Sequence, residues 1–417
     1  MSARMSAYGC RKPTFRPVQT LGRSVKMNVL QSLTEHVTFS GHKNMCFRIL
    51  GASTNTLRRL VPVACTAMMT LGGCASVDDS EVLAIAKQGN RPFGGVLLGD
   101  PAERSFACDH GYVHWQIPSN PRKLPLLFVH ASSKKTWETA FDGQRDGFIP
   151  IFLRRGFAIY STDLPRTGQA GQGCAPSSYE PDDQWSIQTS FTSWRYGLWL
   201  PGESEPTFYP GVQFPTDDPT ALYEFFRIQT PEFNSPGNEE VETDALAILL
   251  DEIGLSIMLT HSSTGIRGWI TAMKSDNLAA IVSYEPGDFV YPEGELPPPI
   301  PMADGDTELP GREVPMDDFL KLTRFPIQII WGDYIPSDID PSHTGPLATL
   351  DFRRRNVAKA QLMVNAINRH GGDAQNLLLP DIGIKGNTHF PMLDLNNVQI
   401  ADLLSEFLAE KGLDEYQ

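Results

Sequence analysis

Two adjacent serines in Thr260-His261-Ser262-Ser263-Thr264-Gly265 could do nucleophilic chemistry if the chain presents one of them on a tight turn. A serine hydroxyl becomes a useful nucleophile only when a base takes its proton and an acid fixes the tautomer of that base. The apolar run Ile257-Met258-Leu259 suits a buried strand, and Ile266–Met273 suits a helix. A strand that turns sharply into a helix pushes the intervening hydroxyl above the sheet, within reach of a base. Ser262, the first of the pair, sits where that geometry needs the nucleophile. The same residues would also make an ordinary Ser/Thr helix cap, so the choice depends on what the rest of the chain supplies.

It supplies a base and two carboxylates. Among nine histidines, His389 lies in Gly386-Asn387-Thr388-His389, a late loop between a strand and the closing helix. His343 and His370 are also late, but His370 precedes two glycines at a helix end, where capping explains it. Glu285 follows directly on the strand after the serine turn, and Asp333 follows the strand after that. Either could reach a loop histidine from the strand ends, and the motif alone leaves the choice open. Acyl transfer also needs N–H donors for the oxyanion. The backbone N–H of Ser263 is one, and the early loop His130-Ala131-Ser132-Ser133 is expected to give the other at Ser132.

These groups must be held by a sheet. Pro92–Trp115 reads as short strands and turns, and Leu124–Val129 as a buried strand. Gly147–Leu153 has helical apolar spacing with Pro150 in the first turn, closed by Arg154-Arg155-Gly156. Phe157–Ser161, Ala279–Ser283, Phe325–Trp331 and Asn376–Leu379 read as further strands. Glu239–Ile253, Asp351–Arg369 and Val398–Glu410 read as helices, and the proline-rich Tyr291–Pro315 as a loop. The alternation predicts an α/β fold, a mostly parallel, doubly wound sheet with crossover helices.

From about 168 to 238 the alternation breaks into Pro, Gly and aromatic residues, among them Trp185, Phe191, Trp194, Tyr196, Phe214, Phe225 and Phe226. An insertion of that length is more often a lid than a connector, and its aromatics could line a pocket. Simple packing onto the body is expected to account for most of them individually.

The 417 residues, 41% hydrophobic and 20% charged, can bury a full core. A net charge of −14 argues against nucleic acid as a partner. Six cysteines without a CxxC pair or zinc-type spacing predict no metal, and the serine chemistry needs no cofactor. Leu57-Arg58-Arg59, an apolar run from Leu60 to Leu71 and Gly72-Gly73-Cys74-Ala75-Ser76 follow the plan of a secretory signal. Leu71-Gly72-Gly73-Cys74 resembles a bacterial lipobox in which Cys74 is acylated. Residues 1–74 are therefore expected to be leader and signal, with Met45 or another internal start as the native beginning. The chain is expected in the bacterial cell envelope or periplasm, where Cys108 and Cys174 could pair as a disulfide.

With these residues in hand, the chain from about Leu124 onward resembles the α/β-hydrolases. In particular it resembles a group of bacterial exported esterases that includes an Alcaligenes esterase. The matching stretches are LLFVHASSKKTWE, DGFIPIFLRRGFAIY, LTHSSTGI, AAIVSYEPGD, GDYI and GNTHFPMLDLNNVQIADLL. The resemblance implies an α/β-hydrolase domain over 90–417 with an aromatic-rich lid insertion at about 168–238. It also implies a Ser-Glu-His triad, which falls on Ser262, Glu285 and His389 and moves the choice of acid from Asp333 to Glu285. Thr260 and Thr264 replace the glycines that usually flank the serine, so Gly265 is expected to supply the close approach of helix to strand. Ala131 replaces the usual glycine of the oxyanion loop. The expected activity is hydrolysis of a small or polymeric carboxylic ester. The alternatives are another acyl bond (lactone, amide or polyester) or a non-catalytic binding protein on this scaffold. Expected partners are the ester, the membrane only through an N-terminal lipid anchor, and a second copy in a homodimer.

Overall fold

The computed structural model describes residues 82–100, 102–130, 133–174, 186–230 and 237–417. The leader with Cys74, the loop residues Ala131 and Ser132, and Trp185 lie outside these. An eight-stranded sheet organises the described residues. Its first two strands, β1 (Ile85–Asp100) and β2 (Arg104–Pro118), form one long antiparallel hairpin. The short strands expected there are thus much longer. The physical reason is visible in β1, where Phe93 is the one buried side chain, so the strand carries no period-two apolar pattern.

The remaining strands are β3 (Leu126–Val129), β4 (Ile159–Asp163), β5 (Ser256–His261), β6 (Leu278–Tyr284), β7 (Pro326–Trp331) and β8 (Asp373–Leu378). The spatial order is β1-β2-β4-β3-β5-β6-β7-β8. All neighbours from β4 to β8 are parallel, and β2 runs antiparallel to β4. Parallel strands are covered on both faces, which is why their sequences read as continuous apolar runs. Side chains alternate between those faces. Phe128, Leu259 and Val282 enter one core, whereas Leu127, Met258 and Ile281 enter the other.

Helices of seven residues or more are α1 (Phe148–Arg154), α2 (Ile187–Ser193), α3 (Ala221–Arg227), α4 (Asn238–Ile253), α5 (Thr264–Lys274), α6 (Ala348–Arg369) and α7 (Asn397–Glu410). α1 and α7 cover the first face through Phe148, Phe152, Leu404 and Phe407. α4, α5 and α6 cover the second through Leu246, Leu249, Trp269, Met363 and Ile367. No helix among the described residues is long and apolar enough to cross a membrane.

Tyr291–Pro315 is not a plain loop. Val290–Pro292 pairs in parallel with Arg312–Val314, and Ile300–Pro301 pairs with Thr307–Glu308. Prolines, which cannot donate to a ladder, confine each pairing to two or three residues and hide it from sequence patterning. In the insertion, Phe191, Tyr196, Phe214 and Phe225 are buried; the last three meet Phe141 of the body edge to face, Phe225 also meets Phe390, and Phe191 packs within the insertion on Trp199 and Phe208. Trp194 and Phe226 stay half-buried, stacked on one another with ring centroids 5.5 Å apart.

Cys108 on β2 and Cys174, in the loop after β4, form a disulfide with a Cα–Cα distance of 5.2 Å. Beside it, Arg166 grips the Asp109 carboxylate through two hydrogen bonds of 2.7 and 2.8 Å, and the Cys174 N–H donates to the same group. The bridge closes a loop of 66 residues, worth about 4 kcal/mol on the chain-entropy scale. A Cys108→Ser/Cys174→Ser variant should therefore unfold at a measurably lower temperature than the parent. Coincident melting curves would mean that the Asp109–Arg166 pair holds this corner unaided.

Candidate active site

β5 ends in a turn whose backbone is unusual. Ser262 has φ +55°, a left-handed conformation that costs a residue with a side chain about 1–2 kcal/mol. Three hydrogen bonds fix it there: the Ser262 N–H donates to Tyr284 C=O at 2.9 Å, and the Gly265 and Gly287 N–H groups donate to Ser262 C=O at 3.0 and 3.3 Å. The two threonines fit for separate reasons. Thr260 turns under the helix, where its hydroxyl donates to Ser283 Oγ at 2.8 Å and its methyl faces Gly268. Thr264 Oγ1 accepts the His261 N–H at 3.0 Å and donates toward the carbonyls of His261 and Val129, tying the end of β3 to the start of α5. Gly265 makes the close approach, since a Cβ there would lie 2.5 Å from the side chain of Pro286.

Glu285 occupies the turn after β6, again at left-handed φ, with its N–H donating to Ile330 C=O. Its carboxylate divides the work between its two oxygens. Oε1 accepts the Gly332 N–H at 2.5 Å and a guanidinium N–H of Arg195. Oε2 lies 3.1 Å from His389 Nδ1. His389 Nε2 in turn lies 2.9 Å from Ser262 Oγ. Because an ionised carboxylate can only accept, the proton on Nδ1 points to Glu285, and Nε2 keeps its lone pair for the serine hydroxyl. Glu285 and His389 are fully buried, while Ser262 is half-exposed at the open end of the set.

The loop bearing His389 is braced on several sides. Its N–H donates to Trp194 C=O at 2.9 Å, and its own carbonyl accepts from His261 Nε2 at 2.8 Å. Asp394 accepts from Asn387 Nδ2, the Thr388 N–H and the Thr388 hydroxyl, each at 2.8 Å. Asp333 does not touch the imidazole. Its carboxylate accepts the N–H groups of Tyr334 and Gly386, at 2.7 and 2.8 Å, and so fixes the backbone of the same loop from below. Ser263 occupies the N-cap position of α5 without a side-chain cap bond.

Burial holds the His389 imidazole well below the usual histidine range, and the nearby charges of Arg353, His261 and Arg195 push the same way. Near neutral pH it is therefore a neutral base. Burial likewise lowers His261 to about 4, so its ring stays neutral and donates its Nε2 proton to the carbonyl of His389. Asp394 is raised to about 8 by burial, against the three donors that favour its anion. No group of three or more His, Cys, Asp or Glu among the described residues is spaced to hold a metal ion.

Ser262, Glu285, His389 and Ser263 thus lie together beyond the carboxyl ends of the central strands β5 and β6, with Asp333 one step removed. Arg195 and His261 escaped the sequence reading. His261 sits inside the motif that was read for its serines, and its placement before Ser262 was the available signal. Arg195 had none beyond being a lone cation in an aromatic stretch.

A sheet in this order, with a strained serine on the sharp turn after its fifth strand, is the α/β-hydrolase fold. No family model matches the chain. A probable secreted lipase, phiG, from a fungal species (strain ATCC 74256) is 28% identical over 322 residues, covering 72% of this chain and 86% of the relative. A solved structure of a novel bacterial esterase is similar at 25% identity with a TM-score of 0.59, covering 79% of this chain and 97% of that one.

Proposed function

We propose that the chain is an exported serine hydrolase that cleaves carboxylic esters through an acyl-enzyme on Ser262. The broad class, carboxylic-ester hydrolase, is carried by the likeness to an esterase and a lipase over most of the chain. The finer mechanism is supported by one observation, the unbroken relay from Ser262 Oγ to His389 Nε2 and from His389 Nδ1 to Glu285.

In this reading His389 takes the Ser262 proton as Oγ attacks the ester carbonyl. The N–H of Ser263, with a second donor from Ser132, holds the oxyanion. His389 then gives its Nε2 proton to the leaving alkoxide, and water repeats the sequence to release the acid. Glu285 keeps the ring in the tautomer this needs. The insertion serves as a lid, with the half-buried Trp194 beside His389, and Phe226 stacked on Trp194, as the start of the acyl or alcohol subsite. The likeness to a probable secreted lipase supports export by the signal-like segment before Cys74, and lipid anchoring through that cysteine is a separate part of the proposal, carried by the lipobox-like Leu71-Gly72-Gly73-Cys74.

A fluorophosphonate probe followed by peptide mapping tests the reading, together with a panel of esters, lactones, amides and polyesters. Labelling at Ser262 with turnover of esters is expected. A chain that neither labels nor hydrolyses any of them is a binding protein on this scaffold.

A further inference from the structure

One buried cation is built into the site from outside the sheet. Arg195 lies in the insertion just after α2, and its side chain is fully buried. Its backbone is left-handed at φ +64°. Few residues with side chains take that conformation, and here Arg195, Ser262, Glu285 and Tyr334 take it within one neighbourhood, the pattern expected where strain serves a site. Nη2 donates to Glu285 Oε1, and Nε donates to Asp333 C=O at 2.7 Å. The residue before it, Trp194, accepts the His389 N–H. The insertion therefore grips both the acid and the base through two consecutive residues.

We propose that Arg195 is a positioning residue for the reaction: it holds the Glu285 carboxylate in place and aimed at His389. The inference rests on the Ser262–His389–Glu285 reading given above. With Gly332 N–H and Arg195 on Oε1, the carboxylate cannot rotate, and Oε2 alone faces Nδ1. The positive charge also offsets part of the field of Glu285 at the ring, so the imidazolium is less favoured at rest.

The charged and titratable groups around His389 are few. Glu285 comes from the end of β6, His261 from β5, Arg195 from the insertion and Arg353 from α6, while Asp333 and Asp394 flank its loop. Arg353 is itself tied to Ser193, two residues before Arg195, through its carbonyl and hydroxyl at 3.2 and 3.3 Å. Of these, Arg195 is the cation bonded directly to the acid.

The test follows the rate of fluorophosphonate labelling at Ser262 against pH in the full chain and in Arg195→Met, Arg195→Gln and Arg195→Lys, with melting curves to identify folded variants. In a folded Met or Gln variant the acidic limb should move up by about one pH unit or more, since one unit is the scale of a single lost charge interaction. The maximal rate should fall about 10²-fold or more, within the range that general base catalysis contributes. The Lys variant keeps the charge, so its limb should stay near the parent's while its rate falls. A limb that stays in place in every folded variant, with rates within a few-fold of the parent, overturns the proposal. If the parent itself is not labelled at Ser262, the triad reading fails first, and the two failures are told apart.

Discussion

Ser262→Ala should lower ester turnover by about 10⁶-fold, the scale seen when a triad serine is removed from another serine hydrolase. Among the described residues the Ser262 hydroxyl is the one bonded to the base: it lies 2.9 Å from His389 Nε2, at the half-exposed end of an otherwise buried relay. Removing it leaves the backbone N–H of Ser263 in place, so a residual rate above that of water is expected. Stability should barely change, because alanine meets the same left-handed φ of +55° that serine already bears. Ser262→Gly should be equally inactive yet more stable by about 1 kcal/mol, since glycine takes that conformation without the Cβ penalty. Turnover by the purified alanine variant near that of the parent would remove the nucleophile assignment.

The acid is decided by comparing Glu285→Gln with Asp333→Asn. The first should cost about 10⁴ in kcat, as exchange of a triad carboxylate for an amide does elsewhere. An amide can present an N–H to His389 Nδ1 and so favour the tautomer that places the proton on Nε2, facing the serine. It also leaves the buried Arg195 without a counter-charge, so a loss of folding stability should accompany the loss of rate. Asp333→Asn keeps one acceptor for the N–H groups of Tyr334 and Gly386 and changes nothing that touches the imidazole. Its effect should stay within about tenfold, since it acts only through the placement of the loop. A larger loss from Asp333→Asn would reverse the assignment.

What could be read from the sequence depended on burial. The runs that became β3, β5, β6 and β7 are apolar on both faces, so composition alone marked them, and the glycine or polar residues at their carboxyl ends marked the turns. The β1–β2 hairpin was misjudged in length because most side chains of β1 face solvent and that strand carries no period. The pairings within 290–314 were hidden by prolines. At the site, the types and order of Ser262, Glu285 and His389 were legible. Residue types and positions alone left Glu285 and Asp333 open, because both follow strands and differ only in which way their carboxylates point; the resemblance moved the choice to Glu285. Arg195 depends on an insertion folding back over the strand ends, a long-range fact that no local pattern records.

In the proposed triad the acid lies one strand after the nucleophile. Ser262 and Glu285 stand on successive parallel strands joined by α5, a unit that closes over a short length of chain. His389 comes from 127 residues beyond Ser262, just before α7. Closing that larger loop costs more entropy, and it must wait until the last segment is available. On a ribosome or a translocation channel, which deliver the chain from its N-terminus, the nucleophile and its acid can be in place while the base is still missing. The hydroxyl then stays unactivated until Ile400, Leu404 and Phe407 of α7 dock against the sheet and bring the His389 loop home. On the proposed triad, reactivity is thus the last property that the growing chain acquires.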